Sequence, residues 1–167
     1  CVIMANLLCY SRNRATSVEQ IDDSTLVATC SLQDSLTDAE VSLRIRLPEL
    51  EIIDAAGRFT RSGRNACTAV GSALAKVVGV RIGAGMKKII RGLVSEETDC
   101  VEVAVLIEEC CHAVILAFTK DMLALVPEEL ALEKDFFAKM VKENIRLYNS
   151  CAAFAPGSPI VEGIDPP

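Results

Sequence analysis

The sequence predicts an α+β fold in which an N-terminal antiparallel sheet of three to five strands is followed by about four helices packed on one face of the sheet. The first sign is a two-residue period, clearest where Val41, Leu43, Ile45 and Leu47 alternate with Glu40, Ser42, Arg44 and Arg46. The second is a change to helical spacing from Arg64 onward. The third is composition: 167 residues, 51% hydrophobic and 24% charged, are enough for one buried core and rule out wholesale disorder.

Each element has its own local signal. Met4–Tyr10 is apolar enough for a strand, and Asp22-Asp23-Ser24 reads as a turn between strands at Val18–Ile21 and Thr25–Cys30. The alternating run ends at Leu47-Pro48-Glu49-Leu50, where proline cannot continue a ladder, and Glu51–Phe59 returns as the partner strand. Ala66, Val70, Ala73, Leu74 and Val77 form one face of a first helix, with Gly79 as its stop. Met86, Ile89, Ile90 and Leu93 predict the apolar side of a second. Ser95–Asp99 is an acid-rich helix start, and Cys100–Phe118 is apolar almost all round, as a central buried helix should be. It is interrupted by charge and too short for a membrane span, which needs about 20 apolar residues. Pro127 opens a last amphipathic helix with the stripe Leu132, Phe136, Met140, Ile145 and Tyr148. Residues 1–154 are therefore read as one domain, and 155–167, with four prolines, as a tail.

Seventeen basic against twenty-three acidic side chains give a net charge of −6, which opposes binding to nucleic acid or to anionic membranes. Aromatic residues are 4% and tryptophan is absent, so base-stacking platforms are not expected. Val2–Cys9 is a short apolar run followed by Arg12 and Arg14, unlike a secretory segment; the expected location is the cytoplasm, with Met4 as the expected natural start. A protein partner or a second copy of the chain is the partner class these features leave open.

Eight cysteines, at 1, 9, 30, 67, 100, 110, 111 and 151, fall below the density of a disulfide scaffold, and no CxxC pair occurs. Any metal site must be assembled from distant segments. Cys67 and Cys100 stand in the expected first turns of the first and third helices, where unpaired N–H groups stabilise a thiolate, although either cysteine alone reads more readily as a small core residue. Cys100 and Cys111 share a helix face but lie about 16 Å apart, too far to hold one ion. In Glu108-Glu109-Cys110-Cys111-His112, consecutive helical residues point about 100° apart and do not converge. His112 is the only histidine, so any Cys–His or Ser–His–Asp chemistry depends on it. Arg81, Lys87, Lys88 and Arg91 flank Gly83 and Gly85 and suit an anion, but the full phosphate-loop pattern is absent, and the segment is read as a solvated helix face.

Gly79-Val80-Arg81-Ile82-Gly83-Ala84-Gly85, preceded by Asn65-Ala66-Cys67 and followed by Asp99-Cys100, resembles the bacterial family catalogued as domain of unknown function 2889, over about Asp38 to Ala117. Members commonly carry a histidine where this chain has Glu102. The order of elements is also similar to NifU-type iron–sulfur scaffold domains, in which a hairpin precedes helices that open on cysteines. That resemblance implies a NifU/SufE-like arrangement with Cys67 and Cys100 as thiolate ligands. Asp38, Asp99 and Glu102 are the carboxylates that would complete a mixed site. The expected function is non-enzymatic handling of a transition metal, an iron–sulfur cluster or a sulfur species. The alternatives are a structural or protein-interaction module with core cysteines, and a thiol enzyme pairing Cys67 or Cys100 with His112.

Overall fold

The computed structural model describes residues 9–61, 69–97, 101–124 and 133–165. Strands β1 (Arg12–Asp22), β2 (Thr25–Asp34), β3 (Thr37–Arg46) and β4 (Glu51–Arg61) form a sheet in sequential order, antiparallel throughout. Helices α1 (Val70–Val77), α2 (Met86–Ser95), α3 (Val101–Ala124) and α4 (Lys134–Glu143) follow, and three short 3-10 turns end the chain. This is the α+β fold that the alternation and the later helical spacing predict. The strand expected over Met4–Tyr10 falls largely outside the described residues, and Cys9 and Tyr10 are not in a strand.

Period two decides which face is buried. Leu26, Ala28, Cys30 and Leu32 of β2 and Ala39, Val41, Leu43 and Ile45 of β3 all face the helices, whereas Arg44 and Arg46 stay exposed. The carboxylate of Asp34 organises the β2–β3 turn by accepting the N–H groups of Leu36 (2.8 Å) and Thr37 (2.7 Å). Its other oxygen accepts from Arg12 and Tyr10 at the edge of the sheet. The turn between β3 and β4 contains a cis Leu47–Pro48 peptide and Leu50 at φ 54°.

Helices α1 and α3 run in the same direction. Leu74 of α1 lies over Gly57 in the middle of β4, and Gly79, just beyond the helix, donates to Ile52 near the start of that strand (2.7 Å). The first turns of α3 meet Arg12, Arg14 and Leu32, its middle meets Val41, and Phe118 reaches the Leu47-Pro48 turn. Both helices therefore start at the sheet end that carries Asp34. α2 packs between them and runs the opposite way, with Met86 near Ile115 and Arg91 bound to Glu108.

Three features differ from the sequence expectation. The apolar stripe of α2 is Met86, Ile90 and Val94, one helical face at four-residue spacing, while Ile89 is 51% exposed. α3 continues past Phe118 to Ala124, and the described part of α4 stops at Glu143, leaving Ile145 in a 3-10 turn. The segment after Ala155, expected as a tail, folds back on α4, where Val161 joins the core cluster. α3 is central as expected: Ile107, Cys111 and Val114 are fully buried and Ala104 nearly so. Among the described residues no helix is long and apolar enough to cross a membrane.

Candidate functional site

Of the five expected metal ligands, the structure describes Asp38 and Glu102. Cys67, Cys100 and Asp99 lie outside the described residues. Asp38 projects from the open face of the sheet, because its neighbours Thr37 and Ala39 take the helix side, and it accepts a hydrogen bond from Arg58 at 2.6 Å. Glu102 is on the helix side, in the first turn of α3, and lines a shallow cleft with Arg12 and Arg14. The sheet thus separates the two described carboxylates. Among the described residues no group of three or more His, Cys, Asp or Glu side chains is placed to hold a metal ion. His112 lies eleven positions beyond Val101 on one continuous helix, about 16 Å along the axis, and so is out of reach of the start of α3.

His112 instead contributes to a cleft of 340 Å³ between three segments. The first is the glycine turn. Gly79–Ile82 is zipped to the start of β4, with Ile52 donating to Val80 (2.9 Å) and Ile82 donating to Leu50 (2.8 Å). Ile82 is thereby buried, and Gly83-Ala84-Gly85 is pushed outward into α2, with Gly85 at φ 78° in the left-handed region that glycine adopts most easily. The second wall is α3, which presents half-buried His112 and buried Ile115. The third is Tyr148-Asn149-Ser150, held by an Asn149 N–H bond to Phe154 (2.8 Å) and a Ser150 hydroxyl bond to Leu147 (2.6 Å).

The charges in this cleft are one-sided. Lys87 and Lys88 line it, and among the described residues no Asp or Glu does and neither lysine forms an ion pair. Of the four cations noted in the sequence, Arg91 is committed elsewhere, donating to both oxygens of buried Glu108 (2.5 and 3.0 Å), which holds its pKa above the ordinary value. The sequence shows the Gly83–Lys88 wall but not its opposition to His112 and Tyr148–Ser150, because that depends on how α2 and the chain after α4 pack against α3.

A second cluster lies in the core. Cys30 of β2 and Cys110 of α3 are both fully buried. The Thr16 hydroxyl donates to the Cys30 sulfur at 3.3 Å. The Cys110 thiol donates to the Val41 carbonyl at 3.7 Å, and Val41 is the cross-strand partner of Cys30. The neighbouring Cys110 side chain, the Thr16 hydroxyl and Arg14 lower the Cys30 pKa, while Cys110 is raised. Burial pushes the neighbouring Cys111 thiol up to about 12. Arg14 and Glu109 form an ion pair at 3.0 Å beside this cluster, each partly exposed.

Comparison with family models, with curated proteins and with solved structures finds no match to this chain.

Proposed function

We propose that this chain is a non-enzymatic binding protein that takes a small anion of the phosphate or carboxylate class in the cleft between the Gly83–Gly85 turn, His112 and Tyr148–Ser150. The observation that carries this reading is a cleft with two lysines, one histidine and, among the described residues, no carboxylate, on a chain of net charge −6. A volume of 340 Å³ is at the lower end of the usual range for small-molecule sites, and Met86 and Ile115 supply apolar surface for a carbon skeleton. The lysines supply charge; the Tyr148 hydroxyl and the Asn149 side-chain amide supply directional hydrogen bonds.

Calorimetric titration with inorganic phosphate, a sugar phosphate and a dicarboxylate tests it, beside a Lys87→Glu, Lys88→Glu double variant. Both lysines are exposed, so the fold should survive. Saturable binding is expected, weakened at least about tenfold by the charge reversal and further weakened by salt. No heat with any of the three anions at millimolar concentration, or equal binding by the variant, would reject the site.

A second reading, handling of a metal, an iron–sulfur cluster or a sulfur species, is favoured by one feature of the fold. α1 and α3 begin at the same end of the sheet, and in sequence Cys67 and Cys100 stand just before Val70 and Val101. The likenesses to the uncharacterised bacterial family and to the iron–sulfur scaffolds belong to this reading. Its ligands would be Cys67, Cys100, Asp99 and Glu102, with Asp38 on the other side of the sheet. Metal and sulfide analysis of anaerobically prepared protein, compared with Cys67→Ser and Cys100→Ser, tests it. Metal content near zero in all three rejects it.

A further inference from the structure

We propose that Cys30 and Cys110 are a redox-active dithiol, in which a hydroperoxide oxidises Cys30 and Cys110 then closes a disulfide between β2 and α3. The placement is specific. Cys110 bonds to the carbonyl of the residue paired across the sheet from Cys30, so the two side chains meet at one point of the sheet–helix interface. Cys30 is the nucleophile of the pair because its sulfur accepts the hydrogen bond of the Thr16 hydroxyl. The Cys110 proton is held by the Val41 carbonyl, which leaves Cys110 as the thiol that closes the disulfide.

The chemistry balances without any further group. The Cys30 thiolate attacks one peroxide oxygen; an S–O bond forms, the O–O bond breaks, and the departing oxygen leaves as water or an alcohol after taking a proton. The Cys110 sulfur then attacks the Cys30 sulfur, the S–O bond breaks, and water leaves with the proton that Cys110 gives up. Two thiols are oxidised by two electrons and one peroxide is reduced. Cys111 is adjacent in sequence but is directed elsewhere around the helix, and burial keeps it protonated.

Arg14 and Glu109 are the charged side chains that act on Cys30. Arg14 belongs to β1, an edge strand exposed along nearly all its length, and its ion-pair partner Glu109 precedes Cys110 on α3. Glu109 disfavours the Cys30 thiolate by its charge, so the carboxylate restrains it.

The test uses the reduced full-length chain in its folded state. It is treated with stoichiometric hydrogen peroxide, its remaining thiols are alkylated, and its peptides are mapped. A Cys30–Cys110 linked peptide is expected, with Cys111 alkylated. Recovery of Cys30 and Cys110 both alkylated, or linkage of Cys30 to another cysteine, overturns the proposal. Since serine at either core position risks the fold, the kinetic variant is Glu109→Ala, at a partly exposed position. It should form the link about two- to fivefold faster. A rate equal to or below the parent's overturns the restraint by Glu109.

Discussion

Gly57 shows how closely one position can constrain the helix layer. It pairs with Val41 in the sheet, and a Cβ built there would lie 2.6 Å from the Glu40 carbonyl oxygen and 3.0 Å from Cδ1 of Leu74. The first neighbour is backbone and cannot move aside; the second is the side chain by which α1 packs on β4. Gly57→Ala should therefore cost about 1–3 kcal/mol through overpacking, read as a lower urea midpoint with an unchanged slope. A single sequence does not reveal this need, because glycine in a strand pattern signals a bulge as readily as a close approach. His112 was equally hard to place. Its position on a buried helix is plain from spacing, but the side chains opposite it lie some 36 residues further along the chain. The Cys30–Cys110 contact joins a strand and a helix 80 residues apart, and nothing in the local pattern of either element marks it.

At the scale of elements, β3 is legible because it has one wet and one buried face, and β4 because the Leu47-Pro48-Glu49-Leu50 turn calls for a partner strand. Of β1 only Val18–Ile21 is legible, since as an edge strand it is exposed nearly throughout and its eleven residues need no alternation. The α2 stripe was misassigned at Ile89 because two adjacent isoleucines cannot both face the core, and the sequence does not say which one does. The β2–β3 hairpin rests on Asp34. The N–H of Leu36, the Arg12 guanidinium, the Tyr10 hydroxyl and the N–H of Thr37 hold its carboxyl well below the usual carboxylate range. A folded-state pKa below the unfolded value means that this stabilisation is complete above about pH 4 and is lost as pH falls toward the folded value. Asp34→Asn should then be less stable than the parent at pH 7, with the gap narrowing below pH 4. Paired urea titrations at pH 7 and pH 3 check this, and a gap that widens in acid would contradict it.

For the molecule as a whole, one buried cluster runs from Leu26 on the sheet to Val161 near the end of the described chain, so the C-terminal segment completes the core. Each strand pairs with its neighbour in sequence, while α3, which covers β1, β2 and β3, begins 40 residues after β4 ends at Arg61. On a ribosome adding about 5–20 residues per second, all four strands are available roughly 2–8 s before the start of α3 has been made. During that interval Leu26, Ala28, Val41, Leu43 and Ile45 have nothing of α3 to lie beneath. A nascent sheet with such a face invites contact with other chains, and the charges of Arg12, Arg14, Glu19 and Asp22 along its outer strand oppose strand addition at that edge while the protein is still being synthesised.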